Sequence, residues 1–191
     1  PANNFIGTTD IAPVKFKVNN IKAGIIDSTS YNTSVGFRTL DSVTTGTYNV
    51  AFGYKALSSN KEGENNAAFG SNALRRNTTG YRNTAIGFVS MFSDTSGYDN
   101  TANGAYSLYS NLSGAANAAT GFAALYKNTT GISNTATGAY SMYNNTIGEY
   151  NTATGLNALQ ANVSGTNNTV NGVAAMFNNT TGSANVANGV A

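Results

Sequence analysis

The chain has 191 residues, a net charge of +2, and only 9% charged against 40% hydrophobic residues, much of the latter alanine. A large core of Leu, Ile and Phe is therefore excluded, and so is the clustered basic patch that phosphate neutralisation demands. With no cysteine and no histidine, disulfides, zinc and thiol motifs and the usual general base are excluded as well.

No apolar run reaches the roughly 18 residues of a membrane-spanning helix, and no basic-then-apolar leader opens the sequence. Neither nucleic acid nor insertion into a membrane is an expected partnership. The chain opens at Pro1 without a methionine and stops inside a repeat at Ala191, which reads as a piece of something longer.

Residues 1–28 form the first predicted unit. Within it, "VKFKVNNIKAGII" alternates Val14, Phe16 and Val18 against Lys15 and Lys17, then turns at Asn19 and Asn20 into a second apolar run. This pattern predicts a β-hairpin with a two-residue loop, placed to close the end of a stack.

From residue 29 to 191 the sequence repeats. One glycine column runs from Gly46 to Gly182 and a second from Gly53 to Gly189, both at intervals of seventeen without a miss. The pentamer NTATG starts at Asn134 and again at Asn151. The unit is G-x-x-N-x-A-x-G-x-x-A/S-L/M-x-x-N-x-x, preceded by a degenerate copy, "YNTSVGFRTL" (Tyr31 to Leu40), giving ten copies with the last cut short.

Disordered low-complexity chains do not hold columns in register, and two glycines per unit argue against a helical-hairpin repeat. The predicted fold is all-β: a parallel β-solenoid of ten 17-residue coils stacked at about 4.8 Å, a rod of roughly 48 Å. Gly53, Gly87, Gly138 and Gly155 then mark corners that need a positive φ or leave no room for a Cβ. The column containing Asn49, Asn66, Asn83, Asn134 and Asn151 is expected to stack amide on amide. A second column, Asn60 to Asn179 with Asp94 in one place, serves another corner.

Alternation in N-x-A-x-G puts the alanine on one face and its neighbours on the other. The outer columns pass from Val50 and Phe52, Ala67 and Phe69, and Thr84 and Ile86 to Thr135 and Thr137, and Thr152 and Thr154. An exposed stack of phenylalanines is unusual on a soluble surface, so Val50, Phe52, Phe69, Ile86, Thr137 and Thr154 are predicted to form a subunit interface. One leucine or methionine per unit supplies the core, which is small for the chain length and favours packing against copies.

The segments "NTAIG", "NTATG" and "NVAFGYKAL" resemble the head repeats of trimeric autotransporter adhesins (YadA-like heads) and of phage or phage-like tail fibres. That resemblance spans residues 29–191, and the opening "NNFIGTTD" with "FKVNNIKAG" is similar to the segment preceding NTTG-type repeats in bacterial surface and tail-fibre-domain proteins. It implies a left-handed parallel β-roll, an intertwined or side-by-side homotrimer, and an extracellular location on a bacterial surface or a phage-like particle. The unit here is longer than the usual adhesin unit by an NTTG-like corner.

The eight acids are scattered. The closest pair, Glu62 and Glu64, straddles Gly63 and reads as a solvated corner rather than a catalytic dyad. No calcium loop and no G-x-G-x-x-G appears, so no enzyme activity, catalytic residue, metal or cofactor is expected. Sequons at Asn77, Asn111, Asn128, Asn144, Asn162 and Asn179 arise from a repeat rich in Asn and Thr. Phe92, Tyr109, Tyr126, Tyr143 and Phe177 follow the core residue, with Tyr106 and Tyr140 three residues before theirs. Tyr106, Tyr109, Tyr126, Tyr140 and Tyr143 are candidate contacts to a receptor or glycan, and packing between chains or coils is the alternative.

The functional expectation is a non-enzymatic adhesive and structural fibre segment. The alternative is a single-chain solenoid that binds carbohydrate or ice, on the strength of Thr135/Thr137 and Thr152/Thr154, a ladder broken at Asn103 and Asn171.

Overall fold

A computed structural model describes residues 7–190. Residues 1–6, which include the start of "NNFIGTTD" and of the predicted hairpin unit, and Ala191 lie outside the described residues. Among the described residues there are twelve strands and no helix, joined in chain order into one sheet.

The first two strands, β1 (Val14–Val18) and β2 (Ile21–Asp27), form the expected antiparallel hairpin, with Val18 opposite Ile21. Asn19 and Asn20 both take positive φ, 49° and 58°, the pair of values that a two-residue type I′ turn requires. Pairing skips Ala23, a bulge. At the far end of β2, burial tends to raise the Asp27 pKa. Hydrogen bonds from the side chains and backbone amides of Thr29 and Ser30 outweigh it and bring the carboxyl down to about 2. That carboxylate caps the turn into β3 (Asn32–Val35), which pairs antiparallel with β2.

From β3 onward every pairing is parallel and seventeen residues apart: β4 (Val50–Phe52), β5 (Ala67–Phe69), β6 (Thr84–Ile86), β7 (Thr101–Asn103), β8 (Ala118–Thr120), β9 (Thr135–Thr137), β10 (Thr152–Thr154), β11 (Thr169–Asn171) and β12 (Val186–Asn188). The chain is a parallel β-solenoid of about nine turns. Only three residues per coil are strand. The rest is turn, yet it is also hydrogen-bonded from coil to coil, as in Leu57 N–H to Ala73 C=O (3.1 Å) and Lys61 N–H to Thr78 C=O (3.1 Å).

Those turns depend on the left-handed backbone region. In the coil from Asn49, Gly53 (φ 124°), Lys55 (54°), Leu57 (49°) and Asn65 (56°) all occupy it. Lys55 and Leu57 each cost about 1–2 kcal/mol there, and Asn65 less because asparagine tolerates this region, a strain offset by the inter-coil hydrogen bonds and by burial. The two glycine columns differ in their reasons. Gly53 needs its φ, and a Cβ on it would stand 2.7 Å from the backbone of Gly70. Gly63 lies outside the left-handed region and needs only space, because a Cβ there would meet Asn60 Oδ1 and the Gly80 carbonyl.

The core is as thin as the composition demands. Ala51, Ala56 and Leu57 and their counterparts are buried through the following coils, until Met176 and Ala187 at the end of the stack are only partly covered. Val170, replacing the strand alanine, is buried too. Ser34, which replaces it in the first coil, is buried with its hydroxyl oxygen unpartnered.

Candidate functional site

The asparagine columns are internal to the coil stack. Asn49 Oδ1 accepts both the backbone N–H (3.1 Å) and the Nδ2 (3.2 Å) of Asn66, while Asn66 Nδ2 also donates to the Gly80 carbonyl (2.8 Å). Backbone donation to the preceding asparagine and Nδ2 donation to the corner glycine recur at Asn83 and, with the amide-to-amide bond as well, at Asn134 and Asn151. In the second column Asn77 Nδ2 reaches Asn60 Oδ1 (2.7 Å) and the same Gly80 carbonyl (3.0 Å). One glycine carbonyl thus ties the two columns together. Buried amides of this kind hold the fold and are closed to any partner. Sequon residues Asn77, Asn111, Asn128 and Asn162 are fully buried, so glycosylation of the folded chain at these four is ruled out.

The other candidate residues lie on two surfaces. The first is the outer face of the sheet. Phe52, Phe69 and Ile86 point outward at 37%, 40% and 43% exposure, with Val50 half-buried beside them and Thr137 and Thr154 exposed further along. The phenylalanine rings stack at 5.4 Å with planes 5° apart. Strand pairing extends this row backwards through Val35 and Gly24 to Phe16, so the hairpin adds its own exposed phenylalanine to the same stripe. Sequence reasoning kept Phe16 apart because the antiparallel join of β2 to β3 carries no repeat signal. Beyond Ile86 the row turns polar, through Asn103, Thr120, Thr137, Thr154 and Asn171.

The second surface is aromatic. Phe92, Tyr109, Tyr126 and Tyr143 form a ladder with ring centroids 5.4, 5.0 and 4.9 Å apart and planes within 7° of parallel. Beside it Tyr106 and Tyr140 flank Phe122, which meets them edge to face at 5.7 and 5.3 Å. Between Tyr106 and Tyr140 their shared column holds only Ala123, and the missing ring leaves a cleft of about 240 Å³. Its walls are Tyr106, Phe122, Tyr126, Tyr140 and Tyr143. All five candidate tyrosines therefore come together on one flank. Phe122 and Ala123 were not singled out from the sequence, although the seventeen-residue register places Ala123 in the Tyr106–Tyr140 column and Phe122 in the one beside it.

Burial, reinforced by the neighbouring hydroxyls of Tyr109, Tyr143 and Tyr106, pushes the Tyr126 phenol above its ordinary value. It stays protonated at neutral pH. Lys127 Nζ sits 5.6 Å over the Tyr143 ring as the one cation on this flank of the later coils. Flat apolar faces edged with hydroxyls suit a neutral polar ligand.

Glu62 and Glu64 are exposed on either side of buried Gly63. Among the described residues no three metal-ligating side chains converge, and no helix is long and apolar enough to cross a membrane. No family model, curated protein or solved structure matches the chain.

Proposed function

We propose that this chain is a non-enzymatic segment of an extracellular fibre, a homotrimer of left-handed β-rolls that projects from a bacterial surface or phage-like particle and contacts a cell-surface receptor or glycan. The observation that carries the reading is the outward apolar row of Phe16, Val35, Phe52, Phe69 and Ile86 on a solenoid whose own core holds one large side chain per coil. A stripe of this kind is at odds with a free surface, and packing three copies along it supplies the burial that a thin coil lacks. The hairpin closes the first coil of the stack in this arrangement, and the Tyr106–Tyr143 flank faces outward as the contact surface.

Native mass in solution, by light scattering coupled to size exclusion, tests the assembly. Three times the 19.7 kDa chain mass is the expected value, and a stable monomer overturns the trimer. A second reading has one observation in its favour: Thr135 lies opposite Thr152 and Thr137 opposite Thr154, all four exposed, in the spacing of a flat water-ordering face. A monomer with thermal hysteresis activity would establish that single-chain ice-binding alternative. A monomer that bound soluble glycans would establish the carbohydrate-binding one.

A further inference from the structure

The second asparagine column is interrupted once between Asn60 and Asn179, by Asp94. In the intact part of the column each amide nitrogen after the first, that of Asn60, donates twice. Asn128 Nδ2, for example, reaches Asn111 Oδ1 (2.9 Å) in the preceding coil and the Gly131 carbonyl (3.0 Å) in its own. Asp94 Oδ1 takes over the amide oxygen's role, accepting from Asn111 Nδ2 (2.9 Å) and from the Gly97 N–H (3.1 Å). Its other oxygen, Oδ2, consequently occupies the nitrogen's place, where the partners are acceptors. Asp94 Oδ2 and Asn77 Oδ1 are both buried, and neither has a hydrogen bond. Two orphaned oxygens in successive coils at the one column position where an asparagine is missing have a simple resolution, a single proton between them.

We propose that Asp94 is held as a neutral carboxylic acid whose Oδ2–H donates to Asn77 Oδ1, and that loss of this proton opens the ladder between the two coils, making a pH-sensitive joint in the rod. The surroundings supply no charge to hold a carboxylate. The preceding coil presents Asn77, the following coil Asn111, and the same coil Gly97. Arg75 and Arg76 hold their guanidinium groups over the Phe92 ring, and Asp99 is at the surface, paired with Arg82 at 2.9 Å. Burial, opposed only by the Asn111 and Gly97 hydrogen bonds, raises the Asp94 pKa from 3.8 to about 7.

The direction of the pH effect follows. An unfolded chain releases the proton near pH 4, while the folded chain keeps it until about pH 7. Between these values the folded state binds the extra proton, so its stability is full below about pH 4 and falls as pH rises. The fall is about tenfold in the folding equilibrium per pH unit, levelling off above about pH 7.

The chain has five aspartates, so carboxyl-carbon NMR of aspartate-labelled full-length protein resolves Asp94 directly, and thermal unfolding midpoints from pH 4 to 9 give the linkage. Asp94 is expected to titrate near pH 7. Asp94→Asn restores the ladder and should flatten the pH dependence while raising the midpoint at pH 8, and Asp94→Ala should lower the midpoint at every pH. An Asp94 carboxyl that titrates below pH 5 in the wild-type protein would overturn the proposal, whatever the variants do. So would an Asp94→Asn protein that keeps the wild-type slope.

Discussion

A Cβ placed on Gly87 would stand 2.7 Å from the carbonyl carbon of Gly104 and 2.9 Å from the nitrogen of Ala105, at a φ of 132°. Strain and overpacking act together there, and Gly87→Ala is expected to destabilise the chain by about 2–5 kcal/mol, read from chemical denaturation. Ala116 presents the reverse case. It is exposed and carries a φ of 54°, in a column where other coils have Asn65 and Asn167 at the same backbone angle. Asparagine tolerates the left-handed region better than alanine, so Ala116→Asn should stabilise by up to about 1 kcal/mol. A loss would show that this corner is not strained as its dihedral indicates. The glycine columns announced themselves in the sequence, but the left-handed leucines did not. Leu108 sits at φ 49° because its N–H must reach the Ala124 carbonyl (3.0 Å) while its side chain fills the core. Such a requirement belongs to the stacked coils and is invisible in local propensity, which links positive φ to Gly and Asn.

At the scale of the coil, the ladders make each turn an interchangeable unit. Removing residues 117–133 would bring Asn134 onto Asn100, Met142 onto Leu108 and Thr135 opposite Thr101, with every asparagine and glycine column closed again. Because solenoid stability is nearly a sum of repeat and neighbour terms, this 17-residue deletion should leave a folded protein with a modestly lower melting temperature. Deleting one residue fewer turns the buried alanines outward and should abolish the cooperative melt. Equal damage from the two deletions would mean the columns are not what sets the register. The period itself, the inward alanines and the Asn19–Asn20 turn were all legible beforehand, since each is a local rule or an exact repetition. The aromatic cleft was legible only in part. Its tyrosines stood out as columns, whereas the opening depends on Ala123 lying between Tyr106 and Tyr140 and on Phe122 walling it edge-on to both rings. Such a gap is defined by what a column omits, and it becomes visible only when neighbouring columns are laid side by side in space.

For the molecule as a whole, the decisive asymmetry is that the outer sheet face is apolar from the hairpin to β6 and rich in threonine and asparagine from β7 onward. In the proposed trimer this face lies against its copies, so association energy should concentrate in the first half of the rod. Fully burying an exposed phenylalanine contributes about 1.5–3 kcal/mol, and Phe52 and Phe69 have 37% and 40% of their surface left to bury, so each contributes about 1 kcal/mol on association. A Phe52→Lys, Phe69→Lys double variant, which also sets two charges into the contact, should therefore weaken association by at least about 1.4 kcal/mol per protomer, about tenfold or more in Kd. Both side chains point away from the core of their own coil, and the solenoid should persist in a β-type circular dichroism spectrum. Thr137→Lys with Thr154→Lys, on the same face but in the polar half, should shift the mass much less. If both double variants keep the wild-type mass, the outer face is not the interface. If they dissociate the assembly equally, the contact runs along the polar half as well, and threonine ladders rather than stacked rings hold the protomers together.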